Sequence, residues 1–339
     1  MQFTKGIFCL FSVFTLFSCR EKTQYLSPQK KPVFSHSIDT ETKPWTHDKF
    51  ENEKFTFALF SDLTGSERKG VFDVAVQQLN LLHPDLIINV GDLVEGDSDS
   101  KEDLQKQWDA FDTRAQKSHA PVFYVGGNHD LTSPGLREVW EERYGVRYYH
   151  FVYKNVLFLV LDSEDNNAQR TAEIIEMRNA AISRAEIEGW GIFEETDYAK
   201  IPEQVGGNID TEQSKYFIQT IQENTHVLHT FLFVHKAPWK IEDPEFVAIE
   251  NALKERPYTV FNGHAHTYNY EQRNGQDYIR LATTGGVQFP EKGLSADHVT
   301  LVTVTNNGVD IANLKLNGIL NKKGEIPLGG DTICFEKNH

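Results

Sequence analysis

The sequence predicts an α/β layered fold, and three observations carry that expectation. A short apolar run, a loop rich in potential ligands and a helix-like segment follow one another three times between residues 55 and 130. Two later apolar runs each end on a histidine. Turn signals such as Asn274-Gly275 and Asn306-Asn307-Gly308 separate the strand-like segments of the last third.

The first unit begins with Phe55 to Phe60, apolar and aromatic as expected of a buried strand, which delivers Ser61-Asp62 at its end. Val71, Val74, Ala75, Val76, Leu79 and Leu82 then share a helical face, closed by His83-Pro84. The second strand, Leu86 to Val90, leads into Gly91-Asp92 and a helix from Glu102 to Ala115; the acidic run Asp97 to Asp103 reads as a solvated loop and helix start. The third, Val122 to Val125, reaches Gly126-Gly127-Asn128-His129-Asp130. Such repetition gathers ligands at strand ends.

Tyr148 to Tyr153 and Val156 to Leu161 read as a hairpin around Lys154-Asn155 that enters Asp162. Residues 163–208 are polar, helical near Ala172 to Ala185, and carry Trp190, Ile192 and Phe193. They read as an insertion, either laid over the site or a surface excursion without a substrate role. Asp210 with Gln213 signals a helix start. Val227 to Val234 then forms a strand ending at His235, and Tyr258 to Asn262 one ending at Gly263-His264. The remainder reads as antiparallel hairpins closing a second sheet.

The chain's 339 residues suffice for a large core without disulfides or structural metals. Lys and Arg number 34 against 49 Asp and Glu, so long-range attraction to nucleic acid is disfavoured, and no nucleic-acid partner is expected. Residues 1–19 read as an export signal: Lys5, then an apolar stretch from Ile7 to Phe17 too short to span a bilayer, then Leu16-Phe17-Ser18-Cys19. That tetrapeptide resembles the lipobox of bacterial lipoproteins, which implies cleavage before Cys19, its acylation, and a place on the periplasmic or outer-membrane face of a bacterial envelope; the alternative is cleavage without lipidation. Residues 20–53 read as a flexible tether and 54–339 as the catalytic domain. Cys9 falls in the signal and Cys334 near the end, so no intrachain disulfide is expected.

Asp62, Asp92, Asn128, His235, His264 and His266 each follow an expected buried strand. Carboxylate mixed with imidazole suits Zn, Mn or Fe better than Mg or Ca. His150, His226 and His229 accompany strands and read as structural. Trp239 reads as a pocket wall or as packing, Tyr268 and Asn269 lie close enough to the His264 loop to meet substrate, and Thr283-Thr284-Gly285-Gly286 is a turn that could approach the same crevice.

The ordered segments Asp62-Leu63-Thr64, Gly91-Asp92, Gly127-Asn128-His129-Asp130, His235 and Gly263-His264-Ala265-His266 resemble the calcineurin-like metallophosphoesterase superfamily over about Phe55 to Leu316. The resemblance implies a four-layer α/β/β/α sandwich of two mixed sheets flanked by helices, with two divalent or trivalent metal ions. It implies hydrolysis of a small phosphomonoester or phosphodiester by a metal-bound hydroxide. By the same resemblance Asp92 bridges both metals, Asn128, His235 and His264 complete one site, and Asp62 and His266 serve the other. His129 approaches the substrate as a catalytic residue and Asp130 orients it. The chain departs from the family where Thr64 replaces a ligand histidine. Glu95, three residues after Asp92, is a candidate substitute ligand; the other reading makes it a solvated or hydrogen-bonded loop carboxylate. The alternative function is a catalytically impaired binding protein with one metal site lost.

Overall fold

The computed structural model describes residues 54–335; the expected signal, Cys19 and tether lie outside the described residues. Two mixed sheets face each other. In the first, β1 (Phe55–Phe60), β2 (Leu86–Asn89) and β3 (Val122–Phe123) are parallel, while β10 (His298–Thr305) and β11 (Gly308–Lys315) add an antiparallel hairpin at the free edge of β1. The second has the order β4-β5-β6-β7-β9-β8: β4 (Tyr149–Tyr153), β5 (Val156–Val160), β6 (His229–Phe233), β7 (Tyr258–Asn262), β8 (Asn269–Arg273) and β9 (Gln276–Arg280), with β4 and β8 antiparallel edges.

Nine helices are described: α1 (Val71–Leu82), α2 (Lys101–Ala115), α3 (Asn128–Leu131), α4 (Pro134–Tyr144), α5 (Ala168–Glu188), α6 (Asp197–Lys200), α7 (Pro202–Val205), α8 (Thr211–Glu223) and α9 (Pro244–Ala252). Their starts follow local chemistry. Ser100 and Ser133 accept the backbone N–H of Asp103 and Leu136, so α2 and α4 begin on capped turns. Asp210 caps α8 through Glu212. Gln213 turns away from that cap and bonds both the N–H and the carbonyl of Asp162.

The strand period decides the layers. Along β1, Phe55, Phe57 and Leu59 face the second sheet while Ala58 and Phe60 face the helices α1 and α2, so both faces are buried and the strand reads as a continuous apolar run. Phenylalanine fills the space between sheets: Phe57 meets Phe231 edge-on at 4.8 Å and Phe233 lies parallel to Phe261 at 5.7 Å. Outside the second sheet, Phe217, Phe246 and Ile249 of α8 and α9 cover Leu157, Leu232 and Val260. The result is the expected helix, sheet, sheet, helix layering.

One expectation is corrected. The last hairpin joins the first sheet, not the second, because β1 is central and needs a partner on both edges; Phe57 pairs with Val302 on one side and Leu86 on the other. The insertion helix is also longer than its apolar residues indicate, starting at the Asn167 cap.

Candidate metal centre

The strand ends bring the sequence-predicted ligands together. One ligand atom from each of Asp92, His235 and His264 lies within 4.8 Å of the others, and the same holds for Asp62, Asp92 and His266. Asp92 therefore belongs to both groups. Asn128 Oδ1 joins the first, 3.2 Å from His235 Nε2. Thr64 borders the second, its hydroxyl donating to Asp92 Oδ2 at 3.5 Å.

Tight backbone makes this convergence possible. Asp62, Asp92, His264 and His266 all have positive φ, between 51° and 74°, a conformation that costs energy in residues bearing a Cβ and that clusters at functional sites. The motif glycines allow close approach. A Cβ on Gly127 would fall 2.3 Å from Asp92 Oδ1, and one on Gly263 2.3 Å from Asp62 Oδ2.

Every imidazole is held by a backbone carbonyl. His235 Nδ1 donates to Val90 at 2.8 Å, His266 Nδ1 to Val287 at 2.6 Å, His129 Nδ1 to Glu95 at 2.6 Å, and His264 Nε2 to Gln204 at 2.7 Å. Each such bond fixes the orientation of its ring and reserves the other ring nitrogen for the site, an arrangement that suits metal-ligating histidines. These four carbonyls carry no side-chain signature, so sequence reasoning has no means of finding them.

Electrostatics favour a cation. Asp62 and Asp92 are both buried, and Asp62 is raised by burial and by the charge of Asp92, against the pull of His266 and His235. Burial would lower His235, but Asp92 and Asp62 push it up to about 9. His264 is held well below the usual histidine range by burial and by the charges of Lys236 and His235. Two buried carboxylates thus draw positive charge inward, while His264 stays neutral and available as a ligand. The oxygen and imidazole donors fit a pair of divalent or trivalent ions.

Asp130 does other work than expected, and Glu95 takes the second of its two expected roles. Asp130 does not orient His129; its oxygens accept the backbone N–H of Asp92, Leu93, Val94 and Gly127, which ties the second ligand loop to the third. Burial and Asp92 raise its carboxyl to about 7 against those donors. Glu95 accepts the N–H groups of Gly65, Ser66 and Glu67 at 2.9–3.0 Å, and neither ligand group includes it. A carboxylate with three of its lone-pair directions spent on backbone donors behaves as a hydrogen-bonded loop residue. Of the secondary candidates, Trp239 packs on Tyr278 and donates to Glu271, a structural role. The turn at Thr283-Gly286 does reach the crevice, its Thr284 and Gly286 N–H groups bonding the Asp62 carbonyl.

The segment 163–208 reaches this centre through α7. Its base is pinned by pairing of Glu164 with Asn208, and α7 supplies the Gln204 carbonyl to His264. Lys236, next to His235, is buried with its ammonium 2.9 Å from Glu164.

The description "Calcineurin-like phosphoesterase" belongs to a family model that matches residues 55–300. No curated protein matches the chain. Among solved structures, a dimetal phosphatase from Danio rerio is similar at TM-score 0.52 and 13% identity, covering 77% of this chain and 99% of that one. A purple acid phosphatase from yellow lupin (Lupinus luteus) seeds gives TM-score 0.49 and 13% identity, covering 78% of this chain and 52% of that one. Fold, strand-end ligands and the matched span agree: the chain belongs to the calcineurin-like phosphoesterase family.

Proposed function

We propose that this protein hydrolyses a phosphomonoester or small phosphodiester at a dinuclear metal centre. The supporting observation is the pair of donor groups that share Asp92, with His129 beside them. Bound there, two ions would polarise the phosphoryl oxygens and acidify water for in-line attack. Asp62 and Asp92 supply the charge that retains those ions, and the carbonyls of Val90, Val287 and Gln204 hold the imidazoles in register.

In this reading His129 is the proton donor. Its backbone N–H donates to Asp92 Oδ1 at 3.0 Å and its Nδ1 donates to the Glu95 carbonyl, so Nε2 is the ring nitrogen left to pass a proton to the leaving oxygen. Glu95 supports this indirectly, its backbone holding His129 while its carboxylate fixes the loop after Thr64.

The test is hydrolysis of p-nitrophenyl phosphate and bis(p-nitrophenyl) phosphate with Mn, Fe, Zn or Mg, against Asp92→Asn and His129→Ala. Metal-dependent turnover lost in both variants supports the reading. A binding protein with one site lost is the second reading, favoured by the Thr64 hydroxyl at the position of a family ligand; absence of turnover with every metal, together with retention of a single ion, would establish it.

On the sequence of residues 1–19 alone, the proposal extends to export and lipid anchoring at Cys19. Labelling with a radioactive fatty acid, lost in Cys19→Ala, tests it.

A further inference from the structure

The insertion helix α5 buries one stripe of residues: Thr171, Ile174, Ala181 and Ala185. Spacings of three and four place Arg178 at the centre of that stripe. It is half-buried there, and its guanidinium makes no hydrogen bond or ion pair with the described residues. The other two arginines of the helix are satisfied, Arg170 by Glu203 and Glu173 and Arg184 by Glu188. A cation on the inner face without a counter-ion costs desolvation energy that an anion would offset.

Tyr198 of α6 packs on the same stripe, with Ile174 and Ala181, and is only 5% exposed. Its hydroxyl likewise has no hydrogen-bond partner among the described residues. Tyr198 stands six residues before Gln204, whose carbonyl holds His264, and the charges of Lys236, Arg178, Glu164 and Asp92 all act on its hydroxyl. Lys236 is already neutralised by Glu164, whereas Arg178 has no such partner among the described residues.

We propose that Arg178 and the Tyr198 hydroxyl bind a second anionic group, a carboxylate or phosphate, on the leaving-group half of the substrate, so that the insertion selects phosphoesters with an acidic leaving group. This rests on the phosphoester reading above. A charge-assisted bond of guanidinium to such an anion is worth about tenfold in selectivity or more.

The experiment compares phenyl phosphate, 4-carboxyphenyl phosphate and benzene-1,4-diyl bisphosphate as substrates, by phosphate release, in the wild type, Arg178→Gln, Arg178→Lys, Tyr198→Phe and the outward-facing control Arg184→Gln. The expected result is a fall of about tenfold in the kcat/KM ratio of the acidic substrates over phenyl phosphate in Arg178→Gln, carried by KM, with partial recovery in Arg178→Lys and the wild-type ratio in Arg184→Gln. Calorimetric binding of benzene-1,4-diyl bisphosphate, weakened in Arg178→Gln at equal metal content, reads the same anion site without turnover. Equal loss on all three substrates, or an unaltered ratio and unaltered binding, overturns the proposal. Failure of the wild type to hydrolyse any of them would overturn the phosphoester reading instead, with the binding measurement still deciding the anion site.

Discussion

His264 Nε2 donates to the backbone carbonyl of Gln204 at 2.7 Å, so a candidate ligand of the proposed metal centre is oriented by residues 163–208 and not by the sandwich that carries it. The other three imidazoles take their carbonyls from Val90, Val287 and Glu95, all in the loops of the two sheets. Metal bound as proposed would therefore couple to the position of that segment.

Excision of residues 166–206, rejoined through two glycines, tests that coupling. Ser163 and Asn208 are already hydrogen-bonded at the base, so the two ends stay close. Loss of the partner that orients a ligand weakens metal binding by about tenfold to a hundredfold. Titration calorimetry with Mn should show one of two sites weakened to that degree, the other retained. Equal affinity at both sites would mean that His264 holds its tautomer unaided.

Glu95→Gln separates ligation from loop support. The carboxylate accepts three backbone N–H groups, and an amide offers one oxygen in place of two. Metal content by elemental analysis should equal that of the wild type. Stability should fall by about 1.5–3 kcal/mol in urea, the worth of hydrogen bonds to a charged acceptor. A lost equivalent of metal at unaltered stability would restore Glu95 as a ligand.

Much of the site was legible in the sequence because each ligand is local to its strand: Asp62 follows β1 by two residues and His235 follows β6 by two, and burial of those strands shows in an apolar run. What was not legible depends on pairing across the fold. The hairpin at Asn306-Asn307-Gly308 announces itself through its turn, but nothing in β10 says whether its neighbour is β1 or β9. The carbonyl of Gln204 has no residue identity to read. The family resemblance gives Asp130 the task of orienting His129, whereas its four donors come from Gly127 and from a loop 36–38 residues away.

Those four donors make Asp130 a joint between loops. Asp130→Ala leaves buried N–H groups of Asp92 and its neighbours unsatisfied, and about 3–5 kcal/mol of stability should be lost. The urea midpoint measures it. Because Asp92 loses its anchor, metal retention after dialysis should fall in step; stability lost with metal affinity intact would show that the second ligand loop is held by other contacts.

His298 gives the fold a pH dependence distant from the ligands. It lies at the start of β10, almost wholly buried, and its Nε2 accepts the Ala282 N–H at 2.9 Å. Burial lowers its pKa from 6.5 to about 4, only weakly opposed by the backbone of Val299. Between those two values the unfolded chain binds the proton and the folded chain does not. Its contribution to stability is therefore complete above about pH 7, declines as pH falls through 6.5 toward 4, and is exhausted below that. The full span is about 3 kcal/mol at 1.36 kcal/mol per unit. His298→Gln removes the titration while keeping an acceptor, and other groups, including His229 with its similar depression to about 4, cancel in the comparison. The stability difference between wild type and variant, measured in urea at pH 7.5 and 4.5, should shift against the wild type by about 2–3 kcal/mol at the lower pH. A constant difference across that range would mean that His298 is protonated inside the fold.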